Sequence, residues 1–216
     1  MFPQSGAFLA GPVEHQPVTF TLVPAPKRCR SASESFTVIV RTVAQSLRDD
    51  IGFRQISTRG AELLLNGKPL FLRGISIHEE NPLEGRRAHS LADAQRLLDW
   101  AQALGCNYVR LAHYPHNEHL LREADRRGLL VWEEIPVYWT IAFANPATLA
   151  SARQQLGEMI TRDRNRASVI VWSVANETPP GAARDAFLAQ LLADARALEG
   201  SRPVSIQRWL AAASRS

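Results

Sequence analysis

From residue 58 onward the chain alternates short apolar runs with longer stretches in which apolar residues recur three and four positions apart. The apolar runs fall at 69–77, 108–112, 129–132, 168–174 and 203–206, and each predicts a strand. Helices are predicted between them. The first starts at Ser90, a capping residue, with Asp93 in its first turn; it carries Leu97, Leu98, Ala101 and Leu104 at helical spacing and ends at Gly105. The others cover 117–127, stopped by Gly128, then 148–162 and 185–198. Near-continuous apolar strands separated by amphipathic helices predict an α/β fold whose parallel sheet is covered on both faces.

The first 57 residues read differently. Two β-like runs, 18–23 and 36–40, flank a stretch rich in breakers that includes Pro24 and Pro26. Two strands and a turn bury no core alone. The expectation for 1–57 is therefore the remnant of a β-sandwich, or a poorly ordered region.

Composition narrows the function classes. Hydrophobic residues make up 45% of 216 and charged residues 21%, enough for a real core. No apolar run approaches the ~20 residues of a membrane helix, so no membrane partner is expected. No charged start followed by an apolar stretch precedes Pro17, so no signal peptide is visible and a cytoplasmic location is expected. Two cysteines, Cys29 and Cys106, make no disulfide framework. The net charge of +4 invites a nucleic-acid reading. The basic residues are nearly all arginines interleaved with acids, as in Arg162-Asp163-Arg164, and form no stripe; nucleic acid is not expected as a partner.

Candidate chemistry collects where predicted strands end. The first runs into His78-Glu79-Glu80, the second into His113-Tyr114-Pro115, the third into Glu133-Glu134, the fourth into Asn176-Glu177. In barrels of repeated βα units, functional groups gather at that end. Glu177 follows a mostly apolar run, and partial desolvation favours the protonated carboxyl that a general acid needs. Its plainer reading is a strand-end acid, or a negative charge for the next helix. Asn176 can hold a substrate hydroxyl. His113 reads as a substrate contact or as a hydrogen-bonded core histidine. His113, His116 and His119 have the spacing of a metal face, but Pro115 interrupts it; His116 and His119 read as solvated helix surface, and no metal is expected. Glu133 and Glu134 point to opposite faces of their strand, and parity alone leaves open which faces the interior. Arg73, inside an apolar run, calls for a carboxylate partner, Glu134 or Glu177. It either fixes an acid or binds substrate.

These residues carry a resemblance to glycoside hydrolase family 2, which includes β-galactosidases and β-glucuronidases. The stretch Asn107-Tyr108-Val109-Arg110-Leu111-Ala112-His113-Tyr114-Pro115 resembles the family's Asn-x-x-Arg-x-x-His-Tyr-Pro signature. The stretch from Asp163 through Trp172-Ser173-Val174-Ala175-Asn176-Glu177 resembles its acid/base signature. Gly52-Phe53-Arg54, Leu65-Asn66-Gly67-Lys68-Pro69, Arg73-Gly74 and His78-Glu79 are similar to the family's approach to its barrel.

The resemblance implies a retaining exo-β-glycosidase on a (β/α)8 TIM barrel preceded by an immunoglobulin-like domain. Glu177 would be the acid/base. Asn176 would bind the sugar 2-hydroxyl, His113 and His78 would contact the sugar, and Arg73 and Glu134 would support the site. The expected partner is a carbohydrate with a terminal β-linked sugar, no cofactor is implied, and full-length relatives would be homo-oligomers.

A complete barrel needs about 250 residues, more than the whole chain has. The expectation is an incomplete TIM barrel of the first four to five βα units over 58–216, with a sandwich remnant over 1–57. The family's nucleophile lies at the end of its seventh strand, and no residue here matches it. Glu199 sits on a predicted helix and does not take that role. The metal-binding Glu-x-His of large β-galactosidases is not found after Glu134. The Asn176-Glu177 stretch looks closer to β-glucuronidase. The alternative function is a non-catalytic carbohydrate-binding or assembly module.

Overall fold

The fold is described from a computed structural model over residues 19–24, 34–41 and 46–207. The breaker-rich stretch beyond Pro24 and the segment after Gln207 lie outside the described residues.

Three antiparallel strands come first: β1 (Thr19–Pro24), β2 (Glu34–Arg41) and β3 (Ser46–Phe53), in that order in one sheet. The sequence reading has no β3, whose Ser46, Arg48, Asp49 and Asp50 break the apolar pattern. A second small antiparallel sheet follows, of β4 (Ile56–Arg59), β5 (Glu62–Leu65) and β6 (Lys68–Leu70). Residue 57, read as a dividing point, lies inside β4. The β5–β6 turn is Asn66-Gly67, with φ of 52° and 76°. This is the pairing that two-residue hairpins favour.

Next come β7 (Gly74–Ile77), the short pair β8 (Glu80–Asn81) and β9 (Arg86–Arg87), then α1 (Leu91–Ala103), β10 (Tyr108–Leu111), α2 (Glu118–Arg127), β11 (Leu130–Glu134), α3 (Pro146–Asp163), β12 (Val169–Asn176), α4 (Ala182–Leu198) and β13 (Val204–Gln207). The five long-range strands form one parallel sheet ordered β13-β12-β11-β10-β7, with a helix in every connection.

The run at 69–77, read as one strand, is two elements. Asn107 makes the division. Its side chain accepts from the Arg73 amide at 2.8 Å and donates to the Phe71 carbonyl at 2.9 Å, pinning the link between β6 and β7. Gly74 then starts β7 against Tyr108, where an added Cβ would lie 2.5 Å from the Tyr108 carbonyl oxygen. No other residue fits that approach.

The helices start and stop as their sequences dictate. Ser90 and Asp93 form a capping box on α1. Asn117 caps α2, and Gly128 ends it with φ 73°. Asn145 caps α3, with Pro146 at its first position.

The sheet has two different faces. Val109, Leu111, Val131, Val169, Trp172 and Val174 pack with Leu98, Leu121, Leu156, Ile160 and Leu191 of the helices. The inner face carries Leu130, Ile170, Val171, Tyr108 and Trp132 near the strands' N-terminal ends, and Ile56, Leu63, Leu65 and Leu70 of the β4–β6 sheet cover it there. Arg54 ties the segment before β4 to the start of β12, donating to the Ala167 carbonyl at 2.9 Å and to the Val169 carbonyl. Asp49 of β3 pairs with Arg122 and Arg166.

Candidate active site

The β10, β11 and β12 strands deliver Arg110, then Trp132 and Glu134, then Asn176 to a network towards their C-terminal ends. Glu134 is 1% exposed. Its carboxylate accepts from Arg110 Nε and Nη2 at 3.0 and 2.8 Å and from Trp132 Nε1 at 2.9 Å. His113 Nδ1 lies 2.5 Å from its other oxygen. The Arg110 guanidinium offsets the buried charge and lies 5.3 Å from the centre of the Trp132 ring. The parity question is thereby answered: Glu134 shares the inner face with Trp132.

Glu133 faces the helices. It is fully buried with Asp163, and Arg162 reaches both. Burial and the neighbouring Asp163 carboxylate push the Glu133 carboxyl well above its ordinary range. His116 lies in the same region. It is fully buried, with Nε2 3.1 Å from the Ala112 carbonyl, and Arg162 donates to its own carbonyl. This corrects the reading of His116 as solvated surface: it precedes α2 and turns inward, and burial lowers its pKa to about 4. His119 is exposed on α2. Among the described residues no group of three or more His, Cys, Asp or Glu side chains can hold a metal ion.

Asn176 reaches the inner face through an irregularity. Strict alternation puts it on the helix side with Trp172 and Val174. The register of β12 on β13 shifts between Ser173 and Asn176, and the side chain meets Arg110 Nη2 at 2.7 Å. Its Oδ1 is thus occupied and its amide NH2 is left for another acceptor.

Glu177 follows in the left-handed region, φ 49°, as does Trp139, φ 54°. Such values cost a non-glycine residue about 1–3 kcal/mol and persist only where neighbours enforce them. Here the loop after β11 is laced to the end of β12: the Asn176 amide donates to the Val137 carbonyl at 2.8 Å, and the Trp139 amide to the Asn176 carbonyl at 3.1 Å. The Trp139 indole N–H donates to Glu177 Oε2 at 3.2 Å. Glu177 is half-buried.

Rings complete the mouth. His113 follows a cis peptide bond with Ala112, and its ring centre lies 5.4 Å from His78 and 5.6 Å from Tyr138. The structure therefore brings together His78, His113, Glu134, Asn176 and Glu177. Arg73 is not among them. It precedes β7, at the opposite end of the sheet, and is exposed; the cation on Glu134 is Arg110. The argument that an arginine in an apolar strand needs a carboxylate holds, but for Arg110, which lies within a strand where Arg73 does not. Trp132, Tyr138 and Trp139 were also missed. Their signal was an aromatic cluster straddling the Glu133-Glu134 strand end.

Comparison with known proteins bears on the fold and the family. The family description "Glycosyl hydrolases family 2, TIM barrel domain" matches residues 56–214. A β-glucuronidase from Paenibacillus borealis is 32% identical over 173 residues, covering 74% of this chain and 28% of that protein. A β-D-glucuronidase structure from Dictyoglomus thermophilum superposes with a TM-score of 0.75 at 26% identity, over 82% of this chain and 33% of that one. A β-galacturonidase from Eisenbergiella tayi, bound to galacturonate, superposes with a TM-score of 0.74 at 29% identity, over 80% of this chain and 31% of that one. The chain thus spans about a third or less of the length of these relatives.

Proposed function

The chain belongs to glycoside hydrolase family 2, and from that membership we propose that it carries the acid/base half of a retaining exo-β-glycosidase site for a terminal β-linked uronic sugar. The observation that carries the reading is the Arg110–Glu134–His113–Asn176 network ending beside Glu177 at the strand ends. Glu177 protonates the glycosidic oxygen as the C1–O bond breaks, then takes a proton from the water that cleaves the glycosyl-enzyme ester. Asn176, its Oδ1 held by Arg110, offers its NH2 to the sugar 2-hydroxyl. His113 and His78 contact the ring. Glu134 holds Arg110 and His113 in place. The nucleophile is a second carboxylate about 5–5.5 Å from the acid/base in retaining enzymes, and no residue of this chain matches it.

The five parallel strands are, in this reading, the first units of an eight-unit barrel, and β1–β3 the remnant of an immunoglobulin-like sandwich. Calorimetric titration with methyl β-glucuronide tests the site. We expect binding that Asn176→Ala weakens at least tenfold and Glu177→Gln leaves within a few-fold. Hydrolysis of an aryl β-glucuronide by the purified chain is expected to be undetectable, because the covalent step has no nucleophile. Turnover abolished by Glu177→Gln would show that a nucleophile is present after all. Methyl glycoside binding indifferent to Asn176 would remove the site assignment.

A further inference from the structure

A cavity of about 680 Å³ opens between the loops that follow β7 and β10, at the same end of the sheet as His113 and His78. Glu79, Glu80, Asn81, Arg87, Tyr114 and Pro115 line it. It adjoins the site through Tyr114, whose ring centre is 6.4 Å from that of His78 and whose hydroxyl accepts from the Glu79 amide at 3.3 Å.

Its polar groups are built rather than incidental. Glu79 is 2% exposed and is held from both sides, pairing with Arg87 of the cavity wall at 2.5 Å and accepting from the Asn117 amide behind it. Arg87 is 68% exposed, so its guanidinium reaches the opening with its charge already matched by Glu79. It lies 5.7 Å from the centre of the Tyr114 ring. Arg86 is likewise paired, with Glu84 and Asp93. Glu80 stands opposite Arg87 across the β8–β9 pair and is exposed, and among the described residues no ion pair engages its carboxylate.

The chemistry of this set selects its ligand. Guanidinium N–H groups whose charge is neutralised serve as donors but give little net attraction to an anion. A free carboxylate repels anions and accepts hydroxyls. Donors and acceptors side by side suit a neutral group rich in hydroxyls, which does both. The volume lies in the range of small-molecule sites.

We propose that this cavity is a subsite for a neutral second sugar, the leaving-group side of the substrate, held by Arg87 and Glu80; the inference rests on the glycosidase reading above. It makes the substrate an oligosaccharide or glycan end rather than a conjugate of a small apolar alcohol.

The test compares methyl β-glucuronide with a β-glucuronyl disaccharide whose second sugar is neutral, by calorimetric titration of the whole chain. The disaccharide is expected to bind about tenfold tighter, or about 1.4 kcal/mol. Glu80→Ala and Arg87→Lys should each cut that preference at least threefold and leave methyl glycoside binding unchanged. Arg87→Lys keeps a cation on Glu79, and Glu80 is exposed, so both variants retain the fold; thermal melting checks this. A disaccharide bound no tighter than the methyl glycoside overturns the subsite alone. So does a preference that survives both substitutions. Binding of neither sugar overturns the subsite and the site reading together.

Discussion

Glu134 is a carboxylate almost without contact with water, and Arg110 is what makes that position tolerable. Removing one partner of a buried pair leaves an uncompensated charge, at a cost of about 3–5 kcal/mol. Arg110→Met is therefore expected to lower the urea midpoint sharply. Glu134→Gln should cost less, because the amide oxygen still accepts from Trp132 or Arg110. A double substitution less destabilised than Arg110→Met alone would confirm that the unpaired carboxylate is the source. A single-residue argument from sequence reached this kind of ion pair but attached it to Arg73. The rule depends on whether a residue lies within a strand, and that depended on Asn107, which bonds to residues 34 and 36 positions away. Asn176 was found by its neighbourhood to Glu177, whereas its orientation depended on a register shift that no alternation pattern reveals.

At the scale of the element, the β7–β10 contact rests on one absent methyl group. Gly74→Ala would drive Cβ into the Tyr108 backbone, which cannot move without opening the parallel pair. Overpacking of this kind costs typically about 1–3 kcal/mol, and contact with backbone puts this position at the upper end. Ser90→Ala, which removes a helix cap, is expected to cost about 1 kcal/mol. Urea unfolding of the two variants side by side checks the order. The helices were legible to within a few residues because their caps are local: Ser90, Asn117 and Gly128 act on amides and carbonyls beside them. The antiparallel strands β3, β4 and β5 were not recognised. For β4–β6 the Asn66-Gly67 pair was a turn signal in plain view. For β3 the acids Asp49 and Asp50 masked the pattern, since Asp49 faces Arg122 and Arg166 rather than a core.

For the whole molecule, two buried groups behind the site set opposite pH dependences. His116 has a folded pKa of about 4 against an ordinary 6.5, so the unfolded chain binds more protons between those values. Stability is therefore lost as pH falls from about 6.5 towards 4, on the order of 3 kcal/mol if His116 acts alone. Glu133 is raised instead, by burial and by Asp163, so its contribution is present at low pH and lost as pH rises from 4.5 through its folded value. The other charges facing this cluster are Arg162 and Glu118, with His78 and Arg87 towards His116. Stability curves from pH 4 to 8 should show His116→Leu flattening the acid side and Glu133→Gln flattening the alkaline side. Unchanged slopes in both variants would assign the pH dependence elsewhere. The sequence marked the α/β alternation and the parallel sheet because every crossover carries its own amphipathic helix. It could not mark this cluster, which joins β11, α3 and the loop before α2.

The small sheet of β4, β5 and β6 has a consequence for traffic. It stoppers the inner face at the strands' N-terminal ends, and the site lies at the other end, at His113, Asn176 and Glu177. On the glycosidase reading, a leaving group and the water that follows it would occupy that same end of the sheet in turn.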